Sequence, residues 1–141
     1  MLKILIVDDS RSARALIESH LEKYGPCDHA ADGIEAVDLF KSALEDDTGY
    51  DVVLMDIEMP EMDGHDAVKK IVEIQEDMGV PYDKRPKIVM VSSRKDPRDI
   101  MKAQFEHGAD MYITKPFTEK TLIEALVNLD LLDNPIGEPQ E

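Results

Sequence analysis

The chain predicts an α/β fold, a five-stranded parallel sheet with helices on both faces, and three observations carry that expectation. Short runs of continuously apolar residues recur along the sequence, as strands covered on both sides require. Segments with apolar residues at helical spacing separate those runs. Strand and helix signals alternate five times in the 141 residues, the pattern of a sheet built by right-handed crossovers.

The elements follow in order. Leu2–Val7 is the first apolar run and stops at Asp8-Asp9. Ala13, Leu16, Ile17 and Leu21 form the first helical stripe, and Cys27–Ala31 is a weaker second strand. Val37, Phe40 and Leu44 mark the second helix, followed by the run Val52–Met55. Val68, Ile71 and Val72 mark the third helix, and Ile88–Val91 is the fourth strand. Pro97–His107 reads as the fourth helix, with Pro97 suited to a first turn and Gly108 to its end. Asp110–Thr114 is a weaker fifth strand, and Leu122, Ala125, Leu126 and Leu129 complete the set. One domain over 1–131 accounts for these elements, and 132–141 reads as a flexible tail with little to bury. Asp77–Lys87, rich in charge and proline, is a long connection suited to a tolerated loop or a partner contact.

Composition excludes several classes. With 43% hydrophobic and 33% charged residues, the chain can bury a core and stay soluble. No apolar run approaches the ~20 residues of a membrane span, and the start lacks the features of a secretion signal, so a cytoplasmic location is expected. Cys27 is the only cysteine, so neither an internal disulfide nor a cysteine metal cluster can form. His20, His29, His65 and His107 are too scattered for a zinc site. A net charge of −15 repels phosphate backbones, so neither nucleic acid nor an anionic membrane is an expected partner.

The polar residues fall where such sheets bind ligands, outside the carboxyl ends of the strands. Strand one ends in Asp8-Asp9, strand three in Asp56, strand four in Ser92-Ser93 and strand five in Lys115-Pro116. These converge on one rim if strands one and three are neighbours. Each has an ordinary alternative: Asp9 or Ser10 could cap a helix, the serines could be turn residues, and Lys115 could be solvated. Capping needs only one residue, however, and leaves two adjacent carboxylates unexplained. Asp56 emerges from a buried run, where an unpaired charge is costly.

Taken together, Asp8, Asp9 and Asp56 would repel one another unless a divalent cation bound between them. Mg²⁺, or Mn²⁺, suits one or two carboxylates, a carbonyl and water. Lys115 adds a second positive charge from the other side. The sum is an electrostatic clamp for a phosphoryl group with Asp56 as nucleophile, and phosphoryl transfer needs little beyond positioning and charge neutralisation.

The motifs Ile4-Leu5-Ile6-Val7-Asp8-Asp9-Ser10, Asp32-Gly33, Val53-Leu54-Met55-Asp56-Ile57-Glu58-Met59-Pro60, Met62-Asp63-Gly64, Val91-Ser92-Ser93 and Lys115-Pro116-Phe117 resemble those of two-component response regulator receiver domains. The stand-alone, chemotaxis-regulator kind is the nearest pattern. The resemblance covers about Leu2 to Leu131 and implies a flavodoxin-like, doubly wound (βα)5 fold with strand order 2-1-3-4-5. It implies Asp56 as phosphoacceptor, Asp9 as direct metal ligand, Asp8 acting through water and the Glu58 backbone carbonyl as a further ligand. Ser92 becomes the switch hydroxyl, Tyr112 the switch aromatic, and Lys115 the partner of the phosphoryl group, with Pro116 after a cis peptide bond.

The implied activity is signalling rather than turnover. A histidine kinase or histidine phosphotransfer protein would donate the phosphoryl group, and the domain would assist its own phosphorylation and dephosphorylation. A protein target, not identified by the sequence, would read the face made by Pro97–His107, strand five and the last helix, with Met101 beside Tyr112. Glu58 and Arg94 flank the pocket mouth in this pattern and are expected to pair over it, hindering water, while Ser93 narrows access.

Three rivals remain open at this point. A magnesium-dependent phosphatase of the haloacid dehalogenase kind would carry its nucleophile in an Asp-x-Asp pattern on strand one, unlike Asp8-Asp9-Ser10-Arg11. A flavin carrier would need a hydroxyl-rich phosphate loop where this chain has carboxylates. A degenerate receiver used only for docking would not need Asp8, Asp9, Asp56, Ser92 and Lys115 together.

Overall fold

A computed structural model describes residues 1–59, 61–94, 96–102 and 108–133. Its sheet contains β1 (Ile4–Val7), β2 (Cys27–Ala30), β3 (Val52–Asp56), β4 (Lys87–Ser92) and β5 (Met111–Thr114). All pairings are parallel and the order is β2-β1-β3-β4-β5, as expected. The helices are α1 (Arg11–Leu21), α2 (Gly33–Glu45), α3 (Gly64–Asp77), α4 (Pro97–Met101) and α5 (Glu119–Asn128). Residues 103–107 of the fourth helix expected to His107, and residues 134–141 of the expected 132–141 tail, lie outside the described residues.

Alternation along the strands explains why the central runs are apolar throughout. Leu5, Val7, Val53, Met55, Ile88 and Met90 point to one side and pack with Phe40 of α2 and Ile71 of α3. Ile4, Ile6, Val52, Leu54, Val89 and Val91 point to the other and pack with Ile17 of α1 and Leu126 of α5. Successive strand residues face opposite ways, so a sheet covered twice needs apolar side chains at every position. Each fully buried large side chain contributes ~1.5–3 kcal/mol. Leu16 departs from the expected stripe: it is 50% exposed, because α1 turns only Ile17 and Leu21 fully inward.

The edge strands are less apolar because their outward groups find polar partners. His29 of β2 sits 3.0 Å from Glu18, and Asp28 accepts a hydrogen bond from Tyr50 at 2.7 Å. The long connection after α3 makes a short 3₁₀ turn at Tyr82–Lys84. Arg85 lies 4.1 Å from the centre of the Tyr82 ring and 3.4 Å from Glu76, tying the connection back to α3.

Helix starts are set by side-chain caps. Ser10, Asp32, Asp63 and Thr118 each accept a backbone N–H from the first turn of α1, α2, α3 and α5. Replacing Asp63 with alanine removes the 2.9 Å bond to the Asp66 amide. It is expected to lower stability by ~1 kcal/mol, read as a reduced urea midpoint with unchanged slope. At the far end of the chain, Leu131 and Leu132 still pack against the α1/α5 side of the core.

Candidate functional site

Neighbouring β1 and β3 bring the acidic residues together. Val7 pairs with Met55, so Asp8 and Asp56 leave the sheet side by side. Asp8, Asp9 and Asp56 each offer a carboxylate oxygen, and these oxygens lie within 4.8 Å of one another. Asp8 and Asp56 are buried at 2% and 6% exposure, whereas Asp9 is exposed. Ser10 supplies the cap of α1 through its bond to the Ala13 amide, so capping does not account for Asp9.

Lys115 enters from β5. Its ammonium bonds Asp8 Oδ2 at 2.8 Å and lies 3.6 Å from Asp56 Oδ1. Its backbone N–H donates to the Ser92 carbonyl at 2.8 Å, fixing the end of β5 against the end of β4. The Lys115–Pro116 peptide bond is cis. On the other side of Asp8, Oδ1 accepts the Ser10 amide at 2.9 Å, and the backbone carbonyl accepts from the Arg14 guanidinium.

Crowding shows in the titration of Asp56. Burial first, and then the neighbouring Asp8 charge, push its carboxyl up to about 6 from the ordinary 3.8. Lys115 and the Glu58 backbone amide pull the other way, and Asp9 adds to the rise. Burial acts to lower the Lys115 ammonium, but the summed attraction of Asp8 and Asp56 carries it above its ordinary value. Three ionised carboxylates against one ammonium leave a formal charge of −2 in the cluster. A divalent, oxygen-seeking cation cancels that charge, so the donor set fits Mg²⁺.

Ser92 ends β4, fully buried, one residue beyond the Val91 that pairs with Asp56. Its hydroxyl oxygen accepts the Arg94 N–H at 3.1 Å. Tyr112 of β5 is half-buried, packs against the α2/α3 side of the core, and donates its hydroxyl to the Arg94 carbonyl at 3.0 Å. The Glu58 side chain meets Arg94 Nε at 3.4 Å, and Ser93 Oγ donates to the same carboxylate oxygen at 3.4 Å. Met101, expected beside Tyr112, is 58% exposed at the end of α4, so solvent takes most of its surface.

Three contributors escaped the sequence reading. Gly64 approaches the site backbone so closely that an added Cβ would lie 2.3 Å from the Asp56 carbonyl oxygen. Its amide bonds the Ile57 carbonyl at 2.9 Å, which closes the loop carrying Glu58. The Met62-Asp63-Gly64 motif signalled the position but not the contact. Arg14, on α1, and the backbone of Arg94 had no distinguishing signal, since their roles depend on chain segments that meet only after folding.

Comparison with known proteins agrees with this geometry. Residues 4–127 match the response regulator receiver domain family. The chain is 34% identical over 129 residues to the chemotaxis protein CheY of Treponema pallidum, covering 90% of this chain and 81% of that protein. It is 37% identical over 125 residues to the chemotaxis protein CheY of Halobacterium salinarum, with coverage of 88% and 92%. The CheX-CheY-BeF3-Mg²⁺ complex of Borrelia burgdorferi contains a chain of 27% identity that superposes with a TM-score of 0.75, covering 93% of this chain and 90% of that one. The family match spans most of the chain, and the strand order and clustered aspartates follow its pattern: this protein belongs to the response regulator receiver domain family.

Proposed function

We propose that Asp56 accepts a phosphoryl group from a phosphohistidine, and that the domain signals by a shift in conformation that alters protein binding. The observation that carries this reading is the meeting of three carboxylate oxygens within 4.8 Å beside the ammonium of Lys115. An Asp56 oxygen attacks phosphorus in line, the P–N bond to the donor imidazole breaks, and its electron pair returns to the imidazole nitrogen. The attacking group must be ionised. A carboxyl titrating at about 6 is still largely carboxylate at neutral pH.

Mg²⁺, or Mn²⁺, would be held by Asp9, Asp56 and the Glu58 backbone carbonyl, with Asp8 acting through water, and would supply neutralising charge for phosphoryl oxygens. The Borrelia relative solved with BeF3 and Mg²⁺ supports that assignment. Lys115, already within reach of Asp8 and Asp56, would turn its ammonium to pair with a phosphoryl oxygen, with no bond made or broken. Ser92 accepts from Arg94, which leaves its own proton free to donate to the phosphoryl group.

Charge-assisted bonds of this kind are the strong ones in proteins. They bias an existing equilibrium in which Tyr112 takes one of two positions, and a complete reversal requires ~5.5 kcal/mol. The face of α4, β5 and α5 is the surface a target protein reads, with a histidine kinase or histidine phosphotransfer protein as donor. A charge of −15 opposes nucleic acid and anionic membranes, which supports a protein as the target, and a cytoplasmic location is part of the same reading. No helix among the described residues is long and apolar enough to cross a membrane. The receiver unit is read as 1–131, and Leu132, the first residue of the expected 132–141 tail, still packs on its α1/α5 side.

Incubation with Mg²⁺ and acetyl phosphate followed by intact-mass measurement tests the reading. Wild type gains one phosphoryl group; absence of that gain, or its persistence in Asp56→Asn, overturns the assignment.

The pair over the pocket mouth sets how long the phosphoryl group lasts. Glu58 and Arg94 are each about half exposed, so their ion pair contributes at most ~1 kcal/mol, or about five-fold in a rate. Glu58→Ala and Arg94→Ala are each expected to speed loss of the phosphoryl group by ~2–5-fold. Unchanged decay in both variants would remove the gate.

A further inference from the structure

Arg94 is held at three points, and the three belong to different parts of the machinery. Its N–H is bonded to the Ser92 hydroxyl at 3.1 Å, and its carbonyl takes the Tyr112 hydroxyl at 3.0 Å. Its guanidinium lies 3.4 Å from Glu58, the residue two places after Asp56. One residue thereby joins the hydroxyl expected at the phosphoryl group, the aromatic expected to report on it, and the ion pair at the pocket mouth.

The backbone contacts fix where the side chain starts. Arg94 follows the end of β4 and lies outside any helix or strand, so sheet bonding does not hold it. A loop backbone of that kind is positioned by whichever groups satisfy its N–H and C=O. Here those groups are Ser92 and Tyr112. The Arg94 side chain, 44% exposed, is weakly held by its own ion pair, because exposed pairs gain little against side-chain entropy. The hydroxyl of Tyr112 is therefore a positioning group for the Arg94–Glu58 contact, although it lies 18 residues away in sequence.

We propose that the Tyr112 hydroxyl controls the lifetime of phosphorylated Asp56 through the Arg94 backbone, so that the reporting residue also regulates the mouth of the pocket. The inference rests on the phosphoacceptor reading above and assigns a regulator to that same site. Loss of the phosphoryl group is hydrolysis. A water oxygen attacks phosphorus, the bond to the Asp56 oxygen breaks, and the electron pair returns to the carboxylate. The water proton leaves with inorganic phosphate or to solvent. Glu58 and Arg94 hinder the approach of that water when paired. With Tyr112 bonded to the Arg94 carbonyl the pair is set over the mouth; with Tyr112 elsewhere, the loop loses one of its two backbone anchors and water enters more often.

A double-mutant cycle reads the coupling. Tyr112→Phe keeps the ring and its packing but removes the hydroxyl. A net hydrogen bond of ordinary strength, acting through an exposed ion pair, corresponds to about two- to four-fold faster dephosphorylation. Arg94→Ala keeps the backbone N–H and C=O but carries no gate, so adding Tyr112→Phe to it leaves the decay unchanged. Equal acceleration by Tyr112→Phe in both backgrounds, or none in wild type, overturns the proposal.

A second measurement needs neither metal nor phosphate. Hydrogen exchange at the Arg94 amide is expected to quicken several-fold in metal-free Tyr112→Phe, and an unchanged amide also overturns the proposal. If wild type takes up no phosphoryl group while the exchange still quickens, the phosphoacceptor reading fails and the backbone tether stands. If uptake is normal but the cycle is additive, the coupling alone fails.

Discussion

Asparagine at position 56 is expected to abolish phosphoryl uptake and, in metal-free solution, to make the protein more stable than wild type at neutral pH. The first effect follows from chemistry, because an amide nitrogen or oxygen does not replace the carboxylate nucleophile. The second follows from the crowding of the pocket. Asp56 titrates at about 6 in the folded chain, against an ordinary 3.8, chiefly because it is buried and faces Asp8. The folded state thus holds this proton more tightly than the unfolded chain does. The contribution is fully present below pH ~4 and is lost as pH rises through about 6, beyond which the charged group is a standing penalty. At ~1.4 kcal/mol per unit, the penalty is at most ~3 kcal/mol, and Asp56→Asn is expected to relieve ~1–3 kcal/mol of it above pH 7.

Urea unfolding across pH 4 to 8 in a metal chelator checks the expectation. The wild-type curve should fall through the window and the Asp56→Asn curve should stay nearly level, so that they diverge towards high pH. Mg²⁺ should then raise wild type more than the variant, because a ligand stabilises whichever state binds it. Parallel curves would show that Lys115 already compensates Asp56 in full.

Valine at Gly64 is expected to cost more than 3 kcal/mol and to suppress phosphorylation in whatever fraction folds. An added Cβ would sit 2.3 Å from the Asp56 carbonyl oxygen and 2.8 Å from the Ile57 Cα, distances that require the backbone to move. Overpacking against side chains typically costs ~1–3 kcal/mol, and backbone yields less easily. The displaced segment carries Asp56, Ile57 and Glu58, so the effect reaches the nucleophile directly. Gly79 is the contrast. Its φ of +66° disfavours side chains, but an added Cβ meets nothing within 4 Å, so Gly79→Ala is expected to cost only ~1 kcal/mol with phosphorylation intact. A thermal melt and a phosphorylation assay on the two variants separate close approach from backbone conformation.

These contrasts also show what was readable before folding. The central strands were legible because β1, β3 and β4 are buried on both faces along their middles, so polar residues interrupt the signal only at their ends, at Asp56, Lys87 and Ser92. The edge strand β2 read weakly because Asp28 and His29 are satisfied by Tyr50 and Glu18, residues the local pattern does not reveal. Asp8, Asp9, Asp56, Ser92 and Lys115 could be gathered on one rim because strand ends are a topological fact once the alternation is known. Their contacts could not: the preference of Lys115 for Asp8 at 2.8 Å over Asp56 at 3.6 Å depends on side-chain reach. Leu16 misled because helical spacing alone cannot tell the centre of an apolar stripe from its margin. The Tyr112–Arg94 bond links a strand to a loop and leaves no periodic trace.

Adjacent residues of β5 divide their allegiance between the two layers of the molecule. Ile113 is seated in the α1/α5 core, while Tyr112 leans on the α2/α3 side and reaches Arg94. A strand anchored from behind need not shift when the side chain in front of it swings. Under the proposed switch, Ile113 would hold the strand in place while Tyr112 moves on the other side of the sheet, giving a partner a fixed frame against which one ring is read.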